Sequence, residues 1–378
     1  MSPTAPVDVS PDTLEQYRRE LTGYCYRMLG SGFEADDAVQ ETMLRAWRAA
    51  DGFEGRSSVR SWLYRIATNI CLDMLRGRQR RALPIDLGPA SPPVEALLGG
   101  WHPDDIWISP IADAKVAPEH GDPADVAVAR DTIRLAFVTA LQHLPARQRA
   151  ALILCEVLKM PAAEAAATLG TSVAAVNSAL QRARATLAAL PEEQRPTEVD
   201  EDQTELLARY VDAFQRYDME QLVTLLHDDA LMTMPPYAMW IRGAENVCRW
   251  MLEPSPSQCA GSILVPAGQV NGVQAWAQYK PDPAGGHAPW ALQVHEVSGG
   301  RISRLTFFLD TERIFPAFGL PPHLGLSRAD AGRPGRQRLG DARVLRVLLS
   351  SYFSLVSTEY QVAGSGLRVG VFGSGWKS

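Results

Sequence analysis

The chain has 378 residues, 46% hydrophobic and 21% charged, with a formal net charge of −6. That is material for about two to three domains with sizeable cores, and it excludes a bulk positive field as the basis of any nucleic-acid binding. Five cysteines, at positions 25, 71, 155, 248 and 259, lack CxxC or metal-type spacing. They read as reduced core thiols of a cytoplasmic protein, so no metal and no cofactor is expected. The polar N-terminus gives no expectation of a signal peptide, and no run reaches the roughly 18 apolar residues of a membrane span.

Residues 12–81 read as all-helical. Leu14, Tyr17, Leu21, Tyr24, Cys25 and Met28 form one stripe, ended by the Gly30-Ser31-Gly32 turn. The next helix, "ADDAVQETMLRAW", has a stripe of Val39, Met43, Ala46, Trp47 and Ala50 at helical spacing. Leu44 falls on the opposite face, beside Asp37, Gln40, Glu41 and Arg48. After the loop "DGFEGRSS", a third helix carries Val59, Trp62, Leu63, Ile66, Ala67, Ile70 and Met74 inward. Seven arginines and one acid, Asp73, lie between Arg56 and Arg81. Such a local excess bears on a polyanionic partner more than the net charge does.

Residues 82–124 are rich in Pro and Gly and lack period, which marks a linker. Its Trp101, Ile106, Trp107 and Ile108 imply that it lies against a surface. Residues 125–190 are helical again. A stripe from Ile133 to Leu144 stops at Pro145, and a helix follows from Arg147 to about Leu158. Pro161 then opens a short helix that Gly170 ends. Thr171 or Ser172 caps the next helix. Two helices joined by a short Gly-bearing turn form a helix-turn-helix.

Residues 191–203 are an acidic linker. From 204 to about 320 the pattern is α+β: a helix over Glu205–Leu226, another over about Ala244–Leu252, then strands at Ser262–Val270, Val273–Tyr279, Trp290–Val297 and Arg301–Leu309. "VNGV" at 270–273 and "SGG" at 298–300 are hairpin signals. Residues 321–378 form a tail to which no structure or function is assigned.

Two helical faces suit nucleic acid. On the helix after Ser172, the stripe of Val173, Val176, Leu180, Ala183 and Leu187 leaves an outer face that includes Ala174, Ala175, Ser178, Gln181, Arg182 and Ala185, with Arg184 beside it. Small residues let a backbone approach the major groove while Gln and Arg reach bases or phosphates. On the third helix, Ser61, Tyr64, Arg65, Thr68, Leu72 and Arg76 face outward, with Asn69 at the edge. Guanidinium charge combined with an aromatic ring suits single strands, and the preceding loop could cup an extruded base.

With these residues in view, "DDAVQETMLRAW", "FEGRSSVRSWLYRIATNICLDMLR" and "LPARQRAALILCEVLKMPAAEAAATLGTSVAAVNSALQRARATL" resemble regions 2 and 4 of bacterial sigma factors of the extracytoplasmic-function (ECF) group. The resemblance implies region 2 at 12–81, region 4 at 125–190, and core RNA polymerase and promoter DNA as partners. Asp37, Gln40, Glu41 and Leu44 would dock on the clamp helices of the beta-prime subunit, an apolar centre in a polar rim; the beta subunit is a further expected contact. Arg56, Ser61, Tyr64, Arg65, Asn69 and Arg76 would hold the opened −10 element. Ser172, Ala175, Ser178, Gln181, Arg182 and Arg184 would meet the −35 element as duplex. No covalent catalysis is implied.

"LLARYVDAFQRYDMEQLVTLLHDDALMTMPP" and the later strands ending "ISRLTFFLD" resemble SnoaL-like domains, which share the cone-shaped fold of ketosteroid isomerases and nuclear transport factors. The expected architecture is therefore multidomain: two all-α domains, a three-helix bundle and a helix-turn-helix, followed by one α+β cone. Met234, Tyr237, Trp240, Trp276, Trp290 and His295 are assigned to the wall of its cavity, with Trp250 and Phe307 as further candidates and a small molecule as a candidate ligand. His295 and Glu296 must point to opposite faces of a strand, and no acid–oxyanion pair is evident. In such fusions the extra domain packs on the sigma core and modulates it. The alternatives are a cone-fold enzyme or ligand sensor carried by a DNA-binding module, and a regulator that binds DNA alone.

Overall fold

The computed structural model describes residues 10–325, apart from 54, 56, 95–99, 101, 117–122, 196–202 and 253–257. Arg56 and Trp101 lie outside the described residues, as does the tail beyond 325.

Four helices build the first module: α1 (Pro11–Glu15), α2 (Arg18–Leu29), α3 (Gly32–Arg48) and α4 (Val59–Met74). The single first helix expected from the pattern is broken at Gln16–Tyr17. Gly30 ends α2 in the left-handed conformation at φ +69°, the geometry glycine adopts without strain. Ser31 and Ser58 cap α3 and α4 by accepting backbone N–H bonds from Glu34 at 3.3 Å and Ser61 at 3.1 Å.

The second module holds α5 (Pro123–Asp131), α6 (Leu135–Gln142), α7 (Ala146–Leu152), α8 (Ala162–Leu169) and α9 (Val173–Ala188). The stripe read as continuous from Ile133 is preceded by a separate helix. The hydrogen-bonding pattern widens after α7, through Val157. Gly170 ends α8 at φ +61°, and Ser172 caps α9 through Ala175 N–H at 3.2 Å, as the sequence implies.

The third module begins with α10 (Thr204–Gln215) and α11 (Met219–Leu225). The one long helix expected here is interrupted at Tyr217, whose φ is +58°. Next come β1 (Leu226–Thr233), β2 (Trp240–Arg242) and α12 (Ala244–Leu252), then β3 (Ile263–Val270), β4 (Val273–Pro281), β5 (His287–Ser298), β6 (Arg301–Phe308) and α13 (Thr311–Ala317). The six strands form one sheet in the order β2-β1-β6-β5-β4-β3. The β1–β6 pair is parallel and the other pairs are antiparallel. This is the α+β cone expected from the sequence.

The sheet is apolar on both faces, and alternation decides what each face covers. Met232, Trp276, Ala291, Leu305 and Phe307 join Leu207, Tyr210 and Leu222 in a core under the module's own helices. Leu231, Val273, Ala275, Ala277, Leu292, Val294 and Phe308 join a core that is continuous with both helical modules. The third module therefore shares a hydrophobic interior with the first two.

Polar contacts specify this seam. The β3–β4 turn is Asn271-Gly272, with φ +52° and +78°, the primed hairpin geometry. The buried Asn271 side chain donates to Tyr26 Oη in α2 at 2.6 Å and to the Ile133 carbonyl before α6 at 2.7 Å, and accepts from Ile111 N–H in the linker at 3.1 Å. Gly272 N–H donates to Asp113 Oδ1 at 2.9 Å. A Cβ on Gly272 would stand 2.7 Å from the Arg130 carbonyl. One turn thus touches the first module, the linker and the second module.

Candidate interaction surfaces

On α3 the buried positions are Ala35, Ala38, Val39, Thr42 and Ala46. At about 100° per residue, Leu44 stands about 180° and Trp47 about 120° from the centre of that face. Leu44 is 37% exposed, and Trp47, expected inside, is 59% exposed. The correction follows from where the buried face is centred: it runs through small residues, leaving Trp47 on the flank beside Leu44. Asp37 and Gln40 are exposed, and Glu41 is half-buried and accepts from Arg45 Nε at 2.6 Å. The patch is a Leu–Trp pair with a polar border.

On α4 the outward face is only partly open. Arg65 and Asn69 are exposed on the helix, whereas Arg76, expected on the same helix, lies in the turn beyond its end at Met74, exposed and paired with Asp73 at 3.0 Å. Tyr64 and Thr68, expected outside, are buried. Both pack on α2: the Tyr24 ring meets Tyr64 edge-on at 5.1 Å, and the Tyr24 and Thr68 hydroxyls are 2.7 Å apart. Tyr64 Oη donates to Glu20 at 2.7 Å, and burial raises its pKa well above the ordinary tyrosine value. Ser61 donates to Glu164 of α8 at 2.5 Å, so the second module lies over the first turn of α4. Leu72 is half-buried. In the loop before α4, the Phe53 ring packs at a tilt against Trp62, with centroids 4.8 Å apart.

On α9 the buried residues are Val176, Ala179, Leu180 and Ala183. Val173, expected in the stripe, is 42% exposed in the first turn. Ser172, Ala175, Ser178, Gln181, Arg182 and Arg184 are all exposed on this helix or its cap. The Ser172 hydroxyl is engaged as the cap, and Arg184 pairs with Glu156 at 2.5 Å. Ala175, Ser178, Gln181 and Arg182 thus present an acid-free surface on one helix.

Two buried arginines join the helical modules. Arg27 of α2 donates to Thr132 Oγ1 at 2.7 Å and to the Ala129 carbonyl at 3.2 Å. Arg149 of α7 donates to Gln142 Oε1 at 2.5 Å, to the Leu144 carbonyl at 3.1 Å and to the Met28 carbonyl. Burial pulls the pKa of each guanidinium down to about 10.

The cone residues divide between the two sheet faces. His295 is fully buried among Tyr210, Trp276 and Phe307, at ring distances of 4.6, 6.1 and 5.8 Å. Its Nε2 is 3.1 Å from Gln293 Oε1, which also accepts from Tyr210 Oη at 2.9 Å. Gln293 donates onward to Gln278 at 2.8 Å, and Gln278 to Ser262 at 3.0 Å. Desolvation lowers the His295 pKa to about 3, so the ring is neutral. Met234 Sδ accepts from Trp250 Nε1 at 3.2 Å inside the same core. Trp290 is half-buried under Lys280, whose Nζ lies 3.5 Å above the ring, and burial lowers that lysine to about 8. Tyr237 is half-buried in the β1–β2 connection.

Trp240 corrects the cavity assignment. It belongs to the opposite core, and its Nε1 donates to the Gly88 carbonyl in the linker at 2.8 Å. Glu296 also faces that side, as the strand alternation requires: its Oε1 is 3.4 Å from Ala136 N–H at the start of α6, and Arg304 Nε lies 3.5 Å from Oε2. Sequence reasoning missed Asn271, Glu296 and Trp240 as contacts between modules. Only the turn signal "VNGV" marked one of those positions.

The linker is held as its apolar residues imply. Trp107, Ile108 and Ile111 are buried. Ser109 N–H donates to the Gly30 carbonyl at 3.0 Å, and its hydroxyl accepts from Gly32 N–H at 2.8 Å. A Cβ on Gly32 would stand 2.6 Å from the Pro110 carbonyl. Among the described residues, no helix is long and apolar enough to cross a membrane.

Comparison with known proteins aligns with these modules. Residues 13–81 match the family model for Sigma-70 region 2, and residues 134–187 match that for Sigma-70, region 4. The chain is 44% identical over 319 residues to the ECF RNA polymerase sigma factor SigG of Mycobacterium tuberculosis, covering 82% of this chain and 83% of SigG. It is 30% identical over 244 residues to SigJ of the same species, covering 63% of this chain and 70% of that protein. The crystal structure of M. tuberculosis SigJ superposes with a TM-score of 0.52 at 24% identity, covering 82% of this chain and 98% of that one.

Proposed function

The chain belongs to the extracytoplasmic-function group of RNA polymerase sigma factors, and from that premise we propose which surfaces carry promoter selection and how the third module governs them. The α3 patch of Asp37, Gln40, Glu41 and Leu44, extended by Trp47, docks on core polymerase at the beta-prime clamp helices. Arg65, Asn69 and Arg76, together with Arg56 and Ser61, hold the opened −10 strand, while Tyr64, buried against Tyr24 and bonded to Glu20, supports that face from beneath. The open face of α9 reads the −35 duplex through Gln181 and Arg182, with Ala175 and Ser178 allowing close approach. Free energy for melting comes from contacts available only with a separated strand, which shift the duplex toward the open form.

The third module is a built-in modulator. The Asn271-Gly272 turn supports this reading most directly, since it bonds to α2, to the linker and to the residue before α6. A bound module of this kind fixes the spacing of the two promoter-reading modules. The experiment is reconstituted transcription with core polymerase on genomic fragments, with start sites mapped. The expected result is a defined set of starts that depends on the added chain, lost with Leu44→Glu and weakened with Arg182→Ala. Starts identical with and without the chain would overturn the reading.

A further inference from the structure

Where α3, the linker and the third module meet, they leave a cleft of about 190 Å³. Phe33 and Glu34 of α3, Arg81, Trp107, Pro236 and Arg313 of α13 are on its wall. It is not the interior of the cone: Phe308 reaches the cleft, while its neighbour Phe307 faces the core around His295. Trp107 is buried, yet its indole Nε1 has no hydrogen-bond partner among the described residues. Buried donors are nearly always paired, so an orphan on a cleft wall calls for an acceptor. The charges around it are engaged. Arg81 pairs with Glu34 at 2.8 Å and donates to the Trp107 carbonyl at 2.5 Å. The Arg313 guanidinium lies 4.5 Å from the centre of the Phe33 ring and 3.8 Å from Asp310. The remaining acid of the lining, Asp105, is exposed.

We propose that this cleft binds a small neutral aromatic molecule bearing a carbonyl oxygen, which accepts from the Trp107 indole N–H while its ring lies against Phe33 and Pro236. Neutrality follows from the engaged charges: an anion or a cation entering the cleft has to compete with an existing pair before it is paired itself. The volume admits a one-ring compound and excludes the larger ligands that fill pockets of roughly 300 Å³ and more. A molecule seated there touches the first module, the linker and the third module at once, so its binding free energy adds to the stability of their union. The site depends on none of the promoter assignments.

The test is indole N–H correlation NMR on the full chain with isotope-labelled tryptophan, titrated with acetophenone, and with benzoate and benzylamine as charged counterparts of similar size. The expected result is a saturable downfield shift of one indole proton, the one missing from the spectrum of Trp107→Phe. Its dissociation constant should be about 1 mM, the scale for so small a ligand. Trp107→Phe keeps an aromatic wall and removes the donor, and should weaken acetophenone binding about five- to tenfold, read from the relaxation of the ligand's own protons. Phe33→Leu leaves the donor in place and should weaken binding severalfold through the lost ring contact. No shift of the Trp107 resonance, equal shifts across the other indoles, or binding unaltered in both variants overturns the site. Tighter binding of benzoate or benzylamine than of acetophenone overturns the neutral carbonyl ligand.

Discussion

Leu44 and Trp47 illustrate what a single side chain can decide. Two large apolar residues side by side, with polar neighbours, leave more apolar area in water than scattered surface residues do. Such pairs gain energy when a partner covers them. Leu44→Glu should weaken the complex with core polymerase by about 2 kcal/mol and leave the thermal midpoint of the free chain nearly unchanged; a pull-down together with a melting curve checks both. His295 makes a second case. Its folded pKa of about 3 lies below the ordinary value of 6.5, so the unfolded chain binds the extra proton between those limits. Its contribution is fully present above pH 6.5 and is lost as pH falls toward 3, on the order of a few kcal/mol. Denaturation at pH 7 and pH 5 should show a larger drop for the native chain than for His295→Gln. Equal drops would contradict the assignment.

At the scale of elements, caps and turns were the most legible features. Gly30, Gly170, Ser172 and Asn271-Gly272 mark their boundaries by backbone chemistry that does not depend on distant partners. Burial was less legible, because a stripe does not say which helix will cover it. Tyr64 and Thr68 look outward by spacing yet are taken up by Tyr24 of α2. The strand β1 has no counterpart among the expected elements beyond its first residue, Leu226, since "LHDDALMT" carries no clear period-two pattern. Trp240 and Glu296 were placed by the docking of whole modules, which no local period encodes. The Asn271-Gly272 turn is where that docking is most exposed to mutation. Asn271→Ala leaves Tyr26, Ile133 and Ile111 groups without this partner in a buried setting, at a cost of about 2–4 kcal/mol. Gly272→Ala adds a backbone clash at positive φ. Hydrogen exchange should report faster opening of Ile111–Asp113 and of Ile133 in both variants, with the interior of the third module still protected. Unchanged protection at the seam would remove the turn from this role.

For the molecule as a whole, a net charge of −6 conceals an arginine-rich first module and an acid-free α9 surface, and the sheet of the third module has two apolar faces, one of them turned to the sigma modules. The same sheet therefore builds its own core and closes the others'. The arrangement leaves Leu44 and Trp47 of α3 and the outer face of α9 open, while Glu164 of α8 meets Ser61 in the first turn of α4. The most direct measurement is start-site-specific transcription by core polymerase supplied with the full chain or with a chain ending after Arg195. A clamped sigma factor predicts more transcript per bound sigma from the shortened chain, at the same start sites. Equal output from the two, at equal polymerase occupancy, would contradict it.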